Sequence, residues 1–265
     1  MKIGIFWELA THIPELPENS IVEVYGFEST GKTSLGLYII KKAKEQKLNT
    51  LFLDTERALH KNYLELYNLK DLEIQEPSNL KEVFEIISKL KNTVVVWDTL
   101  ASTPATEEEK NLGLALQARE ISQLLRVYNR NIRTNGVILV VINQARLPLL
   151  PYQEAIAPGG LSLNFYSDFK ILLKRKKLEE QRLETEMVVK KNKFASPQGS
   201  AYIVFTEGVL DEDETIIKNA LEIGIVSKKP RGYIYKKEEV TPKDLKTRIK
   251  EIRKDIEDYI RKSNS

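Results

Sequence analysis

Short runs of β-branched and other apolar residues recur along the chain, each bounded by turn-forming or charged residues, and they predict buried strands. The runs lie at 21–25, 50–53, 93–97, 137–142, 169–173 and 201–205. Between the first four runs, segments of helical length carry apolar residues three and four positions apart, at 32–46, 80–90 and 112–133. Alternating strands and helices predict an α/β fold with a mostly parallel central sheet, in which ligands bind at the carboxyl ends of the strands.

The pattern changes towards the C-terminus, where five apolar residues recur at spacings of four and three. They are Leu245, Ile249, Ile252, Ile256 and Tyr259, and a Thr-Pro pair at 241–242 precedes them as a helix start signal. We expect one amphipathic helix that packs on its own small domain. Five apolar positions form only a short contact surface, which is little for binding a partner helix. The segment at 207–213, which ends in three acidic residues, interrupts the apolar pattern. We therefore divide the chain into a short N-terminal segment (1–19), a core (20–210) and a small basic α+β domain (211–265).

The composition excludes several classes of protein. The chain has 265 residues, of which 42% are hydrophobic and 30% charged, and it contains no Cys and two His. Without Cys it forms no disulfide scaffold, thiolate metal site, iron–sulfur cluster or cysteine nucleophile, and two His argue against a His-rich metal site. No stretch approaches the roughly 18 apolar residues of a membrane span, and no cleavage signal follows the apolar N-terminal run. We therefore expect a cytoplasmic protein without a membrane partner.

The formal net charge of +3 conceals an uneven distribution along the chain. Residues 227–265 contain 13 Lys or Arg against 7 Asp or Glu, and residues 170–193 contain nine against four. Such segments are typical of a solvated basic surface, which is the simpler interpretation. Binding of nucleic acid is the more specific one.

One segment matches a nucleotide-binding motif. Residues Gly26, Phe27, Glu28, Ser29, Thr30, Gly31, Lys32 and Thr33 fit G-x-x-x-x-G-K-[ST], and Ser34 follows them. The motif lies between a predicted strand and a predicted helix, where backbone N–H groups and the helix N-terminus can bind phosphate oxygens. We predict that the segment binds ATP, with Lys32 on the β- and γ-phosphates and Thr33 as a ligand of Mg²⁺.

Acidic residues follow two other predicted strands and are therefore expected at the same edge of the sheet. Asp98 follows the strand at 93–97 and is expected to hold Mg²⁺ through water. Glu56 follows the strand at 50–53 and is the candidate general base that orients the attacking water. From the residues alone, Asp54 competes with Glu56 for this role.

Together these segments resemble the RecA family of homologous-recombination ATPases, from about residue 20 to the C-terminal region. The motifs that carry the resemblance are, in order, GFESTGKTS, LFLDTERAL, VVVWDTLASTP, VILVVINQARL, GGLSLNFYSDFKILLKR and VVKKNKFASP. Six motifs in the same order make chance a poor explanation. The resemblance implies a RecA-like P-loop NTPase core with a small C-terminal domain, ATP and Mg²⁺ as cofactors, and DNA-dependent hydrolysis of ATP to ADP and phosphate.

The resemblance also assigns roles to single residues. It places Glu56 at the catalytic base position and Tyr63 at the position that stacks on adenine. Gln144 takes the position that senses the γ-phosphate and passes its state to a DNA-binding loop. Lys191 and Lys193 match a pair that reaches the phosphates of a neighbouring subunit, which implies a homo-oligomer with ATP at subunit interfaces.

Two DNA-binding loops are implied, at 103–126 and 144–160. Residues at positions where the family contacts DNA or shapes these loops are Arg119, Arg126, Arg146, Tyr152, Gly159 and Gly160. Phosphate contacts combined with wedging or stacking side chains are typical of proteins that hold single strands. Single-stranded DNA is therefore the expected partner, with duplex DNA as a second candidate.

The chain departs from the family pattern at several points. Only 25 residues precede Gly26, whereas the family carries a longer N-terminal helix and strand with which each subunit grips the next. The segment MKIGIFWEL is open to two interpretations, a shortened gripping strand or a segment that packs on its own core. The second loop contains Pro148, Pro151 and Pro158 where the family loop is glycine-rich, so we expect a stiffer response to DNA. Glu186 replaces a basic residue associated with a second DNA strand.

Three hypotheses about function follow. The leading one is an ATP-dependent recombinase core that binds single-stranded DNA in homologous recombination and DNA repair and oligomerises head to tail. The second is a RecA-like paralogue that binds ATP and DNA but regulates recombination without long filaments. The third is a nucleotide-dependent assembly module of the same fold without a DNA role, against which the arginines of both loops argue.

Overall fold

The computed structural model describes residues 1–106, 113–146, 160–195 and 199–263. Its helices are α1 (Ile5–Thr11), α2 (Lys32–Glu45), α3 (Lys61–Leu66), α4 (Leu80–Ser88), α5 (Gly113–Thr134), α6 (Gly160–Tyr166), α7 (Glu212–Glu222), α8 (Pro242–Thr247) and α9 (Ile249–Ser263). Its strands are β1 (Ser20–Gly26), β2 (Asn49–Asp54), β3 (Ile74–Gln75), β4 (Thr93–Asp98), β5 (Ile138–Gln144), β6 (Phe169–Leu178), β7 (Arg182–Asn192), β8 (Ser200–Thr206), β9 (Val209–Leu210), β10 (Val226–Lys229), β11 (Gly232–Tyr235) and β12 (Glu238–Val240). Of the described helices, none has the length and apolar character needed to cross a membrane.

A nine-stranded sheet in the order β3-β2-β4-β5-β1-β6-β7-β8-β9 forms the centre of the molecule. The pairs from β3 to β6 are all parallel, and the pairs from β6 to β9 are antiparallel. A separate antiparallel sheet contains β10, β11 and β12. The predicted α/β fold with a mostly parallel sheet is confirmed.

Two apolar layers cover the faces of the sheet, because successive residues of each buried strand point to opposite sides. In β4, Val94 and Val96 pack in the layer that includes α1, α2, α7 and α9. Val95 and Trp97 pack in the opposite layer, against α4 and α5. Both faces of the parallel strands are therefore covered, and the carboxyl edge of the sheet is left for the connecting loops.

Residues Ile5–Thr11 of the N-terminal segment form a helix and not a strand, which disfavours the interpretation of this segment as a gripping strand. In α1, Phe6, Trp7 and Ala10 are buried in the main apolar layer, and Trp7 meets Phe169 edge to face. Asn192 donates a hydrogen bond to the Thr11 carbonyl at 2.8 Å. The segment packs on its own core, which was the other interpretation of its apolar residues.

The C-terminal segment contains two helices where the apolar spacing predicted one. Arg248 separates α8 from α9, and α9 buries Ile252, Ile256 and Ile260, while Tyr259 is 42% exposed. These isoleucines belong to the same apolar layer as α1 and α2. Side chains from both sides of the proposed boundary at 210/211 therefore share one core, and the division into domains stays a prediction.

Candidate functional site: a phosphate-binding loop at the carboxyl edge

The motif at 26–33 forms the turn from β1 into α2. Gly31, the residue before α2, has a left-handed backbone with φ of 82°. A Cβ atom at Gly31 would lie 2.5 Å from the ring of Phe205, and one at Gly26 would lie 2.7 Å from the carbonyl oxygen of Leu173. A side chain at either position would collide with these atoms, so the loop requires glycine at both.

Hydrogen bonds hold the loop in this shape. The carbonyl oxygen of Phe27 accepts from Thr30 Oγ1 at 2.9 Å and from Lys32 Nζ at 2.7 Å. Thr185 on β7 donates to the Thr30 carbonyl at 3.1 Å from beneath the loop. Burial lowers the pKa of Lys32, although the carboxylates of Asp98 and Glu56 act in the opposite direction. The ammonium group thus lies inside the loop, where a phosphate would be its counter-charge.

The loop is joined to β4 by a hydrogen bond from Thr33 Oγ1 to Asp98 Oδ2 at 2.6 Å. Burial raises the pKa of Asp98 to about 6, and the charges of Glu56 and Asp54 contribute to the increase, whereas the Thr33 hydrogen bond and Lys32 oppose it. A cation beside Asp98 would offset the burial of its charge.

The oxygen atoms of Thr33 and Asp98 are ligands of the type that Mg²⁺ prefers. The described residues contain no group of three or more His, Cys, Asp or Glu side chains that could hold a metal ion by themselves. In nucleotide sites, phosphate oxygens and waters complete the coordination of Mg²⁺. The residues present therefore fit a nucleotide with its magnesium ion.

Two carboxylates follow β2, and their surroundings differ. Asp54 is buried and accepts backbone N–H bonds from Leu59 at 3.0 Å and from Ala58 at 3.4 Å, so it stabilises the turn that leads to α3. Glu56 is exposed, and its Oε1 accepts from Gln144 Nε2 at 3.3 Å. Of the two, Glu56 has the freedom to meet a water, which favours it as the general base.

Gln144 is the last residue of β5, directly opposite Gly26 in the β1–β5 register. The backbone N–H of Ala145 donates to the Gly26 carbonyl at 2.9 Å, so the end of β5 is fixed to the first residue of the phosphate loop. The structure therefore brings Gln144, Glu56 and the phosphate loop together at one edge of the sheet.

An open cleft of about 540 Å³ adjoins the loop on the side of α3. Ser34, Tyr63 and Gly208 line it, and the Tyr63 hydroxyl lies 3.4 Å from the position that a Cβ of Gly208 would take. Tyr63 is partly exposed, with its ring beside the cleft, which is compatible with stacking on a base. Its role as the adenine contact stays a prediction.

The lysine pair lies away from the loop of its own subunit. Lys193 Nζ lies 3.3 Å from a carboxylate oxygen of Asp168, and Lys191 Nζ donates to the carbonyls of Asn164 and Phe165 at the end of α6. In the strand register Lys191 is opposite Lys170, which is opposite Glu23, three residues before Gly26. At about 3.3 Å per residue, Lys191 is therefore displaced from the level of the loop by roughly 10 Å along the strand direction, towards the other edge of the sheet.

The candidate DNA contacts are only partly described. Arg119 and Arg126 are exposed and lie two turns apart on α5, and Arg146 is exposed just after β5. Gly160 is the first residue of α6, whereas Tyr152 and Gly159 lie outside the described residues. The side chains of Arg119, Arg126 and Arg146 are therefore accessible to solvent.

Two residues that shape the site were not predicted from the sequence. Thr185, which supports the loop, is 155 positions from its partner Thr30, and nothing local marks it. The Tyr67 hydroxyl donates to the Gly208 carbonyl at 3.2 Å and accepts from Leu210 N at 3.1 Å, and so fixes β9 beside the cleft. The sequence indicated only that Tyr67 carries a hydroxyl group on an aromatic ring, and such a group usually finds a hydrogen-bond partner when the ring is buried.

Comparison with known proteins gives consistent matches. Residues 4–210 match the family model of the RecA N-terminal domain. Protein RecA of Legionella pneumophila is 32% identical over 252 residues, covering 88% of this chain and 72% of that protein. Protein RecA of Thioalkalivibrio sulfidiphilus is 34% identical over 252 residues, covering 88% of this chain and 73% of that protein. Among solved structures, the RadB recombinase is similar in fold, with a TM-score of 0.57 and 21% identity over 74% of this chain and 92% of that one.

Proposed function

The chain belongs to the RecA family, and from this premise we propose that it is an ATPase of homologous recombination and DNA repair that binds single-stranded DNA. Hydrolysis of ATP to ADP and phosphate is the reaction, and DNA binding stimulates it. Neighbouring subunits associate head to tail, with the nucleotide between them.

The observation that carries the proposal is the convergence of four strand ends on one point. The phosphate loop follows β1, Glu56 follows β2, Asp98 ends β4 and Gln144 ends β5. Thr33 contacts Asp98, and Gln144 contacts Glu56. A group that binds phosphate, a group that holds Mg²⁺, a base and a polar sensor are the components that phosphoryl transfer to water requires.

Each component has one task in the reaction. The backbone N–H groups of the loop and Lys32 bind the phosphates, and Lys32 stabilises the charge that develops on the transferring group. Thr33 and Asp98 are the residues that would hold Mg²⁺, which supplies positive charge to the β- and γ-phosphate oxygens when bound. Glu56 accepts the proton of the attacking water, and the Gln144 amide orients its carboxylate.

DNA binding is assigned to the exposed arginines. Arg119, Arg126 and Arg146 place positive charge on α5 and after β5, and Arg146 is only two residues from Gln144. A change at Arg146 on binding of a DNA phosphate would therefore reach the Gln144–Glu56 contact through a short stretch of backbone. This is the basis for DNA-dependent hydrolysis in the proposal.

The test is ATP hydrolysis by the purified protein, measured with and without single-stranded DNA and with duplex DNA as a separate arm. We expect hydrolysis that requires Mg²⁺ and increases with single-stranded DNA. Binding of labelled single strand in the presence of ATP is measured on the same samples. A protein that hydrolyses ATP but neither binds DNA nor responds to it supports an assembly module instead.

A specific observation favours the second candidate, a paralogue that regulates recombination without long filaments. The helix α1 is buried against β7, β8 and α9 of its own subunit, so residues 5–11 are not available to grip a neighbour. Negative-stain microscopy with an ATP analogue and single-stranded DNA separates the two candidates. Long filaments support the recombinase, and short or absent assemblies with intact DNA binding support the paralogue.

A further inference from the structure

A buried carboxylate lies in the middle of β1, outside the phosphate-binding groups. Glu23 has 1% of its surface exposed, and it lies between β5 and β6. Its Oε1 accepts a hydrogen bond from Asn143 Nδ2 at 3.1 Å, and its Oε2 lies 3.3 Å from Lys170 Nζ. Lys170 is itself placed over the ring of Tyr25, 5.0 Å from the centroid. A buried ion pair rarely stabilises a fold more than apolar side chains would, so its presence here calls for another reason.

The reason lies in the backbone of the next residue along β5. Asn143 Oδ1 accepts the N–H of Gln144 at 3.0 Å. The Ala145 N–H points to β1, so the Gln144 N–H points to the opposite side, towards β4. The ladder between β4 and β5 ends at Trp97 and Val141, and β4 therefore offers the Gln144 N–H no partner. The Asn143 side chain therefore supplies the acceptor that a neighbouring strand would otherwise provide for this N–H.

We propose that Glu23 is a positioning residue that orients the amide of Asn143 and thereby fixes Gln144 against Glu56. A carboxylate only accepts, so it must face the Nδ2 group of Asn143, and this leaves Oδ1 directed at the Gln144 N–H. Lys170 places its ammonium group 3.3 Å from the other oxygen of this buried carboxylate. With the backbone at Gln144 fixed, its side chain reaches Glu56 at 3.3 Å.

Replacing the carboxylate by an amide removes this constraint. In Glu23→Gln, the side-chain oxygen turns to Lys170, and the new NH₂ group faces Asn143. The Asn143 amide must then flip, which directs its own NH₂ group at the Gln144 N–H, and two donors face each other. In Asn143→Asp two carboxylates meet at the same place. The double exchange Glu23→Gln/Asn143→Asp restores a donor facing an acceptor at both contacts.

The experiment compares these three variants with the parent, and it rests on the proposed ATPase function for one of its two readouts. We expect kcat for DNA-stimulated hydrolysis to fall about tenfold or more in each single variant, since a misplacement of about 1 Å costs up to about a hundredfold. KM for ATP should stay within about twofold, because the phosphate loop is unchanged. The double exchange should recover most of kcat, which a loss of general stability would not allow.

The second readout is hydrogen exchange at the Gln144 amide, which needs no catalysis. We expect the amide to be protected in the parent, to exchange faster in both single variants and to be protected again in the double exchange. If the parent hydrolyses no ATP but shows this exchange pattern, the proposed function fails and the positioning role stands. Parent-like kcat and exchange in Glu23→Gln, or no recovery in a folded double variant, would overturn the positioning role.

Discussion

The carboxylates of Asp54 and Glu56 lie two residues apart and have different partners. Asp54 accepts two backbone N–H groups of the turn that follows β2, whereas Glu56 is exposed to the site and accepts the amide of Gln144 at 3.3 Å. Since backbone donors occupy Asp54, its charge is used to stabilise the turn. The competition between the two residues for the role of general base, which the sequence left open, can therefore be tested by removing each charge separately.

Replacing Glu56 by Gln should retain nucleotide binding and reduce turnover by on the order of a hundredfold or more, because the carboxylate serves the chemical step rather than affinity. Single-turnover hydrolysis and binding of a fluorescent ATP analogue measure the two effects. Asp54→Asn is the matched control, with an expected loss of about 1 kcal/mol of unfolding free energy and a smaller effect on turnover. A larger turnover defect in the control would reassign the base to Asp54.

Lys32→Ala should abolish hydrolysis, since the variant lacks the charge that stabilises the transferring phosphoryl group. The Lys32 ammonium lies 2.7 Å from the Phe27 carbonyl, inside the loop. Lys250→Ala, at an exposed position of α9, is the control for loss of one positive charge. Steady-state ATPase assays compare the two variants with the parent, and activity of Lys32→Ala at the parent rate would show that the nucleotide-site assignment is wrong.

Much of the fold could be predicted from the sequence, because the parallel strands are buried on both faces and appear as unbroken apolar runs. The elements that were missed have mixed patterns. Strand β7, from Arg182 to Asn192, contains many charged residues, and this composition is typical of a solvated segment. In the structure its residues alternate between buried and half-buried positions. The helix α1 is only seven residues long, and its apolar residues fit a strand as well as a helix until the tertiary contacts are known.

The site could be predicted where its residues form a local motif, and this explains why the phosphate loop and Asp98 were recognised from the residues alone. Glu56 was also a candidate from the residues, with Asp54 as its competitor, and the family resemblance favoured Glu56. The roles of Gln144 and the lysine pair came from that resemblance alone, which the comparisons confirm at the level of the family. Contacts such as Thr185 with Thr30 join residues far apart in sequence. Only the pairing of strands brings them together, so no local pattern could indicate them.

Affinity for single-stranded DNA should depend steeply on salt, and Arg119→Ala/Arg126→Ala should weaken this dependence. Each phosphate contact contributes about 0.7 to the slope of log K against log salt for single strands, so the double variant should lose about 1.4. Lys89→Ala/Lys91→Ala removes the same charge from exposed positions at the end of α4 and after it, and should change the slope little. Fluorescence anisotropy across a salt series measures all three proteins. If the parent shows no binding even at low salt, DNA is not a partner.

Gly199→Ala should weaken the packing of α1 on its own core. A Cβ atom at Gly199 would lie 1.7 Å from the carbonyl oxygen of Ala10, so the helix must shift, at a cost of about 2 kcal/mol. Gly224→Ala is the control, because its left-handed backbone is strained by the change but nothing lies within 4 Å of the new atom. Hydrogen exchange should increase in α1 for the first variant only. Unchanged exchange there would mean that α1 is not held by this contact.

Mixing two inactive variants tests whether ATP is shared between subunits. The lysine pair lies towards the opposite edge of the sheet from the phosphate loop, with Lys191 at the end of α6 and Lys193 beside Asp168. If Lys191 and Lys193 complete the site of the adjacent molecule, Lys191→Ala/Lys193→Ala is inactive although its own loop is intact. Lys32→Ala is inactive for the opposite reason.

In a mixture, some junctions join an intact phosphate loop to an intact lysine pair, and these junctions should recover part of the DNA-stimulated hydrolysis. Recovery should increase with protein concentration, because association of subunits follows mass action. A mixture of the Lys32→Ala and Glu56→Gln variants is the control. Both changes lie in the subunit that supplies the phosphate loop, so every junction in this mixture lacks either Lys32 or Glu56. ATPase assays at several mixing ratios decide the question. With both proteins folded and DNA present, absence of recovery at every ratio would favour the paralogue without long filaments over the recombinase, because a monomeric ATPase has no junction that mixing could restore.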